Sequence, residues 1–120
     1  MEINKRRVGS VTILDLKGKL TIGDGAELLR DTVASTAFQG ERRILLNLAG
    51  VPYVDSGGLG QLVRCSMAAQ KAEGAVKLVN LTSKITDLLT ITKLLNVFDT
   101  YDSEVAAIAS FGDEPAPPAV

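Results

Sequence analysis

Asn47-Leu48-Ala49-Gly50-Val51-Pro52-Tyr53-Val54-Asp55-Ser56-Gly57-Gly58-Leu59-Gly60 is the stretch on which the reading of this chain turns. It follows Ile44-Leu45-Leu46, and a run apolar on both faces suits a strand buried in a parallel sheet. Pro52 cannot donate to a ladder, so Val51 to Val54 reads as a linker. Asp55 and Ser56 then open a helix, since both side chains can accept from the unpaired N–H groups of a first turn. Leu59, Leu62, Val63 and Met67 continue it at helical spacing, and Gly74 closes it. Strand, linker and amphipathic helix make one half of a β-α-β unit.

Working outward, the same alternation repeats. Ala75–Leu81, with Val76, Leu78 and Val79, is a second buried-type strand. Thr82 and Ser83 offer N-caps for a helix holding Ile85, Leu88, Leu89 and Thr92. A short strand fits Val97–Tyr101, and a last helix fits Asp102–Ser110 with Val105, Ile108 and Ala109 inward. Upstream, Val8–Leu20 reads as a strand with Val11, Ile13 and Asp15 on one face and Thr12, Leu14 and Leu16 on the other. Gly9-Ser10 turns the chain back onto an antiparallel partner, Glu2–Val8. Lys5-Arg6-Arg7 protects that edge strand by charge. Asp24 and Glu27 resemble a capping box for a helix carrying Ala26, Leu29, Val33 and Ala37 and ending near Gly40. The order β-β-α-β-α-β-α-β-α predicts an α/β fold. Its sheet is mixed but mostly parallel, with an N-terminal antiparallel strand pair and about four helices. Residues 1–110 form one domain, and the Pro-rich acidic segment 111–120 reads as a disordered tail.

Composition removes many functions. The 120 residues contain no His, no Trp and a single Cys. That excludes a Ser-His-Asp triad, a Cys-His pair, a His-ligated zinc site and an intrachain disulfide. Lys and Arg number 13 against 14 Asp and Glu, a net charge of -1, so there is no basic face for direct nucleic-acid binding. No run approaches the ~20 apolar residues that cross a bilayer, and the charged start is unlike a signal peptide, so a cytoplasmic protein with no membrane insertion is expected. Cys65, beside Val63 and Met67, reads as a reduced, partly buried thiol.

The chemistry concentrates at Ser56. A helix N-terminus exposes N–H groups and a partial positive charge, which favours phosphate. Asp55 either caps the helix or accepts from the Ser56 hydroxyl. Three glycines in a first turn cost about 1 kcal/mol each relative to Ala. That cost suggests that a bare backbone is needed, leaving room beside Ser56 for another chain. The plain alternative is that Asp55 and Ser56 only cap and the glycines only close a turn. No Walker-type loop is present. Gly23-Asp24-Gly25 lacks the third glycine of a dinucleotide fingerprint, and Val54 and Gly58 do not make a nucleophile elbow. Ser83 reads as an N-cap or a second modifiable hydroxyl.

The apolar run at Ile44–Leu48, the Val54-Asp55-Ser56-Gly57-Gly58-Leu59-Gly60 stretch and Leu62 together resemble STAS domains of the anti-sigma factor antagonist type. The segments Leu81–Leu89 and Leu95–Phe98 also resemble that family's third helix and following strand. The resemblance covers about residues 1–110. It implies a binding protein without catalytic residues, cofactor or metal. It further implies that Ser56 is phosphorylated by an anti-sigma factor that is also a serine kinase, and that a PP2C-type phosphatase reverses this. Asp55, Ser56, Gly57, Gly58 and Leu59, with Lys19, Thr21 and Asp24 on the preceding loop, then form the partner surface of a monomer or weak dimer. Two departures are visible: Gly57 replaces a frequent second hydroxyl, and Thr21 stands where an acidic residue is common. The alternative is a STAS scaffold or adaptor subunit, in a stress-sensing assembly or a lipid-transport ABC complex, that binds without a phospho-switch. An enzyme using the Ser56 helix end for a small molecule or nucleotide is the remaining option.

Overall fold

The strand containing Val11 alternates strictly, and both of its faces find a cover. The computed structural model describes residues 1–112; of the tail expected over 111–120, Phe111 instead closes the last helix and packs against the core, and residues 113–120 lie outside the described residues. Five strands form one sheet in the order β1-β2-β3-β4-β5. These are β1 (Glu2–Val8), β2 (Val11–Lys17), β3 (Arg43–Gly50), β4 (Ala75–Val79) and β5 (Asp99–Tyr101). The first pair is antiparallel and the other three are parallel. Four helices join them: α1 (Ala26–Phe38), α2 (Ser56–Lys71), α3 (Ser83–Ile91) and α4 (Glu104–Ser110). A 3-10 turn, Leu95–Val97, precedes β5.

The two faces of β2 divide as the alternation predicts. Leu14 and Leu16 join Ile44, Leu46 and Leu78 in the larger core, closed by Leu29 and Val33 of α1, Leu62 and Cys65 of α2, and Ile85 and Leu89 of α3. Val11 and Ile13 join Leu45 and Val79 on the other face, where Ala107 of α4 covers them. Pairing of Leu14 with Leu46 and of Leu46 with Leu78 places these three side chains in one row across the sheet. Lys77 fastens α4 from the sheet side: its Nζ donates to the Ser110 carbonyl and hydroxyl, each at 3.0 Å, and lies 4.5 Å from the Phe111 ring centroid.

Several expectations change. The strand expected over Val8–Leu20 is cut to Val11–Lys17, because Val8-Gly9-Ser10 is spent on the hairpin and Gly18 leaves the ladder at a φ of 114°. On α4, Val105 and Ala109 face solvent and Ala107 takes the inward place, so the helix is rotated from the expected phase. Met67 is also exposed, whereas Cys65 is buried completely. Asp24 does not cap α1: the cap position is Gly25, with φ 95° and no side-chain bond to the helix. Arg6 on the edge strand is more than a guard charge. It pairs with Asp15 at 2.6 Å and with Glu104, so it ties β2 to α4. Its hydrogen bond holds the Asp15 carboxyl below the ordinary carboxylate range, helped by a bond from Asn47.

Candidate functional site

Two successive strand-to-helix loops emerge at the carboxyl ends of β2 and β3, the usual place for sites in parallel sheets. They run side by side. The Gly18 N–H donates to the Gly50 carbonyl at 2.9 Å, Leu20 N–H to the Tyr53 carbonyl at 3.0 Å, and Asp55 N–H to the Leu20 carbonyl at 3.3 Å. This stitching lays Leu20 against Tyr53 and Asp55, and Ile22 against Gly57, so the loop that carries Lys19, Thr21 and Asp24 runs along the start of α2. Lys19 and Asp24 are exposed and Thr21 is half-buried. Thr21 and Asp24 close a tight turn by exchanging backbone bonds of 3.0 Å, with Ile22 and Gly23 at its tip.

Ser56 is the first residue of α2 and is exposed. Asp55 is extended, and its Oδ1 accepts from the Gly58 N–H at 2.7 Å. Of the two roles open to Asp55, the structure selects capping. The carboxylate therefore fixes the helix start and leaves the Ser56 hydroxyl outside that bond.

The glycines have a different reason from the one expected. A Cβ on Gly58 would lie 1.9 Å from the Leu20 carbonyl oxygen, and one on Gly57 would lie 2.1 Å from Cγ1 of Ile22. The space beside the first turn is taken by the chain's own preceding loop. At Gly60 a Cβ would meet nothing within 4 Å, so its small size is not needed for packing. Gly58 and Leu59 are buried, and Gly57 is half-buried. Within the set Asp55, Ser56, Gly57, Gly58 and Leu59, Ser56 is the one with an exposed side chain. The surface around it is supplied instead by residues that sequence reading passed over. Ile22, which lies against Gly57, is 67% exposed, and Tyr53, which lines a groove together with Ser56, is 52% exposed. An isoleucine in a Thr-Ile-Gly-Asp turn was the available signal, because such turns seldom need an apolar tip.

On the other side, a groove of about 450 Å³ separates the α2 start from α3. Tyr53, Val54, Asp55 and Ser56 line one wall, and Lys84, Ile85 and Leu88 line the other. Thr82 caps α3 through a bond from the Ile85 N–H. Ser83 follows this cap as the first helical residue. Cys65 takes no part: burial pushes its thiol up to about 12, which removes thiolate chemistry at neutral pH. Among the described residues, no three His, Cys, Asp or Glu side chains converge on a metal-sized site. No helix of the described residues is long and apolar enough to cross a membrane.

A mixed five-stranded sheet, antiparallel at its first strand pair and parallel beyond, carries an exposed serine at the start of its second helix. Residues 2–107 match the STAS domain, and the chain belongs to that family. It is similar to BtrV of Bordetella bronchiseptica, provisionally described as an anti-sigma factor antagonist, at 26% identity over 92% of this chain and 95% of that one. A Thermotoga maritima protein with the same provisional description, TM1081, superposes with a TM-score of 0.82 at 27% identity, covering 90% of this chain and 92% of its own. The anti-sigma factor antagonist SpoIIAA shares the fold, with a TM-score of 0.69 at 21% identity over 92% of this chain and 99% of that one. The Bacillus SpoIIAA structure is also known in a phosphorylated form.

Proposed function

We propose that this chain is an anti-sigma factor antagonist whose binding is switched by phosphorylation of Ser56. One observation carries the reading: Ser56 is exposed at a capped helix start, on a surface assembled from two loops, with apolar Ile22 and Tyr53 exposed on them. The unmodified chain binds the anti-sigma factor through Ser56 and its surroundings, including Lys19, Thr21 and Asp24, and so releases a sigma factor in the cytoplasm.

The anti-sigma factor acts as the kinase. The Ser56 Oγ attacks the γ-phosphorus of ATP, the bond to the ADP oxygen breaks, and the hydroxyl proton passes to a base of the kinase. A PP2C-type phosphatase returns the serine with water, releasing inorganic phosphate. The phosphate brings about -1.5 to -2 charges at neutral pH. Next to the first turn of α2 this charge meets the positive helix end, so the fold survives. A partner seated on Ile22, Tyr53 and Ser56 would have to bury that charge next to Asp55. Each ~1.4 kcal/mol of that penalty is tenfold in affinity, so one phosphate empties the complex.

The test is a mixing experiment with the kinase-type anti-sigma factor and ATP. Intact-mass measurement should show one added phosphate, absent in Ser56→Ala. Binding of the phosphorylated chain should be at least tenfold weaker. A kinase that binds this chain tightly, never modifies it, and binds Ser56→Glu equally well would overturn the switch and leave a constitutive scaffold.

A further inference from the structure

The groove between α2 and α3 contains one cationic side chain, Lys84, opposite one anionic side chain, Asp55, with Ser56 on the Asp55 wall. The Asp55 carboxylate is already engaged by the Gly58 N–H. Lys84 is exposed, and among the described residues it has neither an ion pair nor a hydrogen bond. Its backbone is held by a capped helix, and its neighbour Ile85 is anchored in the core. The flexible part of Lys84 is therefore its four-carbon stem, which can sweep the groove without moving α3. Val54, Ile85 and Leu88 give the groove apolar side chains on both walls. A negative group arriving on the Ser56 wall would face across the groove a cation that holds no ion pair, beside Ile85 and Leu88 side chains that offer no hydrogen bonds.

We propose that Lys84 is a positioning residue for the modified Ser56: it pairs with the phosphate across the groove and folds it over Tyr53 and Leu88. The inference rests on the reading of Ser56 as the acceptor. It adds a second way in which the modification acts. The phosphate then repels a partner and also occupies, together with Lys84, the cleft into which that partner would reach. The switch becomes a closure within the chain.

The test uses the full chain with phosphoserine installed at position 56 during translation, so that no kinase is required. Phosphorus NMR follows the second ionisation of the phosphate against pH. A nearby ammonium favours the dianion, so this ionisation should fall at lower pH in the native chain than in Lys84→Met, by about half a unit. The difference should shrink as salt is raised. Lys71→Met removes the same charge at the far end of α2, ~20 Å away, and should leave the titration unchanged. Equal titration of Lys84→Met and the native chain overturns the pairing, as does an equal shift in Lys71→Met, which would mean only a general field. Either result indicts Lys84 alone. Failure of kinases to modify Ser56 in the mixing experiment indicts the acceptor role instead.

Discussion

The starts of α1 and α2 look alike in sequence and are built differently. Each has an aspartate near glycines after a β-strand: Asp24 before Gly25, and Asp55 before Gly57 and Gly58. At α2 the aspartate caps, bonding the Gly58 N–H, and the following glycines lie against another loop. At α1 the aspartate belongs to a turn that ends one residue before the cap, and Gly25 adopts a positive φ with its N–H groups unserved by any side chain. The difference follows from which loop lies beneath. The α1 loop is the upper layer, and the α2 start is pressed under it. Composition alone tells neither which of two adjacent loops will be the lid nor which aspartate will reach a helix.

This contrast is broken most directly at Gly58. Gly58→Ala would set a methyl group 1.9 Å from the Leu20 carbonyl oxygen, and backbone there is itself bonded to Asp55 N–H. The two loops must part, at a cost of about 3 kcal/mol, the upper end for overpacking. A fall in Tm of roughly 10 °C, read by circular dichroism, is the expected result. A neutral substitution would mean that the loops are not stitched as described. Asp55→Ala comes next. It removes the cap and leaves the first turn of α2 unserved, for about 1 kcal/mol in urea unfolding.

The fold was legible because it is written in periodicity. Strict alternation over Val11–Leu16 and the all-apolar Ile44–Leu46 require a covered sheet, and the Gly-Asp-Ser punctuation falls between elements. The site was half legible. Asp55 and Ser56 follow from helix-start chemistry, which is local. Ile22, Tyr53 and Lys84 were not visible, because what gathers them is the parallel pairing of β2, β3 and β4, and no local pattern reports which loops that pairing lays side by side. The purpose of the glycines was misread for the same reason. A costly glycine shows that something approaches, but not whether the visitor is foreign or part of the same chain. The rotation of α4 was missed because Ala106, Ala107 and Ala109 are too uniform to mark a face.

Gly57 separates a rigid obstacle from a soft one. Its added Cβ would strike Cγ1 and Cδ1 of Ile22, the outer atoms of an exposed side chain, with no backbone nearer. Gly57→Ala should therefore cost less than 1 kcal/mol, the displaced isoleucine being partly offset by the better helix propensity of Ala. In an Ile22→Ala background the same change should become neutral or stabilising by up to ~1 kcal/mol, a coupling that a double-mutant cycle in urea measures directly.

The smallest effect belongs to Asp24. Its side chain is exposed and lies 3.6 Å from the terminal ammonium group, the sort of surface pair that contributes 0 to ~1 kcal/mol. Its role in the turn is carried by backbone atoms, which Ala keeps. Asp24→Ala should change stability by less than about 0.5 kcal/mol, clearly below Asp55→Ala measured side by side. If the two aspartates cost the same, Asp24 also holds a helix start, and the asymmetry between the two loops disappears. If Asp24→Ala instead weakens anti-sigma factor binding while stability holds, the exposed rim of the upper loop is part of the docking surface. The two helix starts then divide the work, one fixing Ser56 and the other reading the partner.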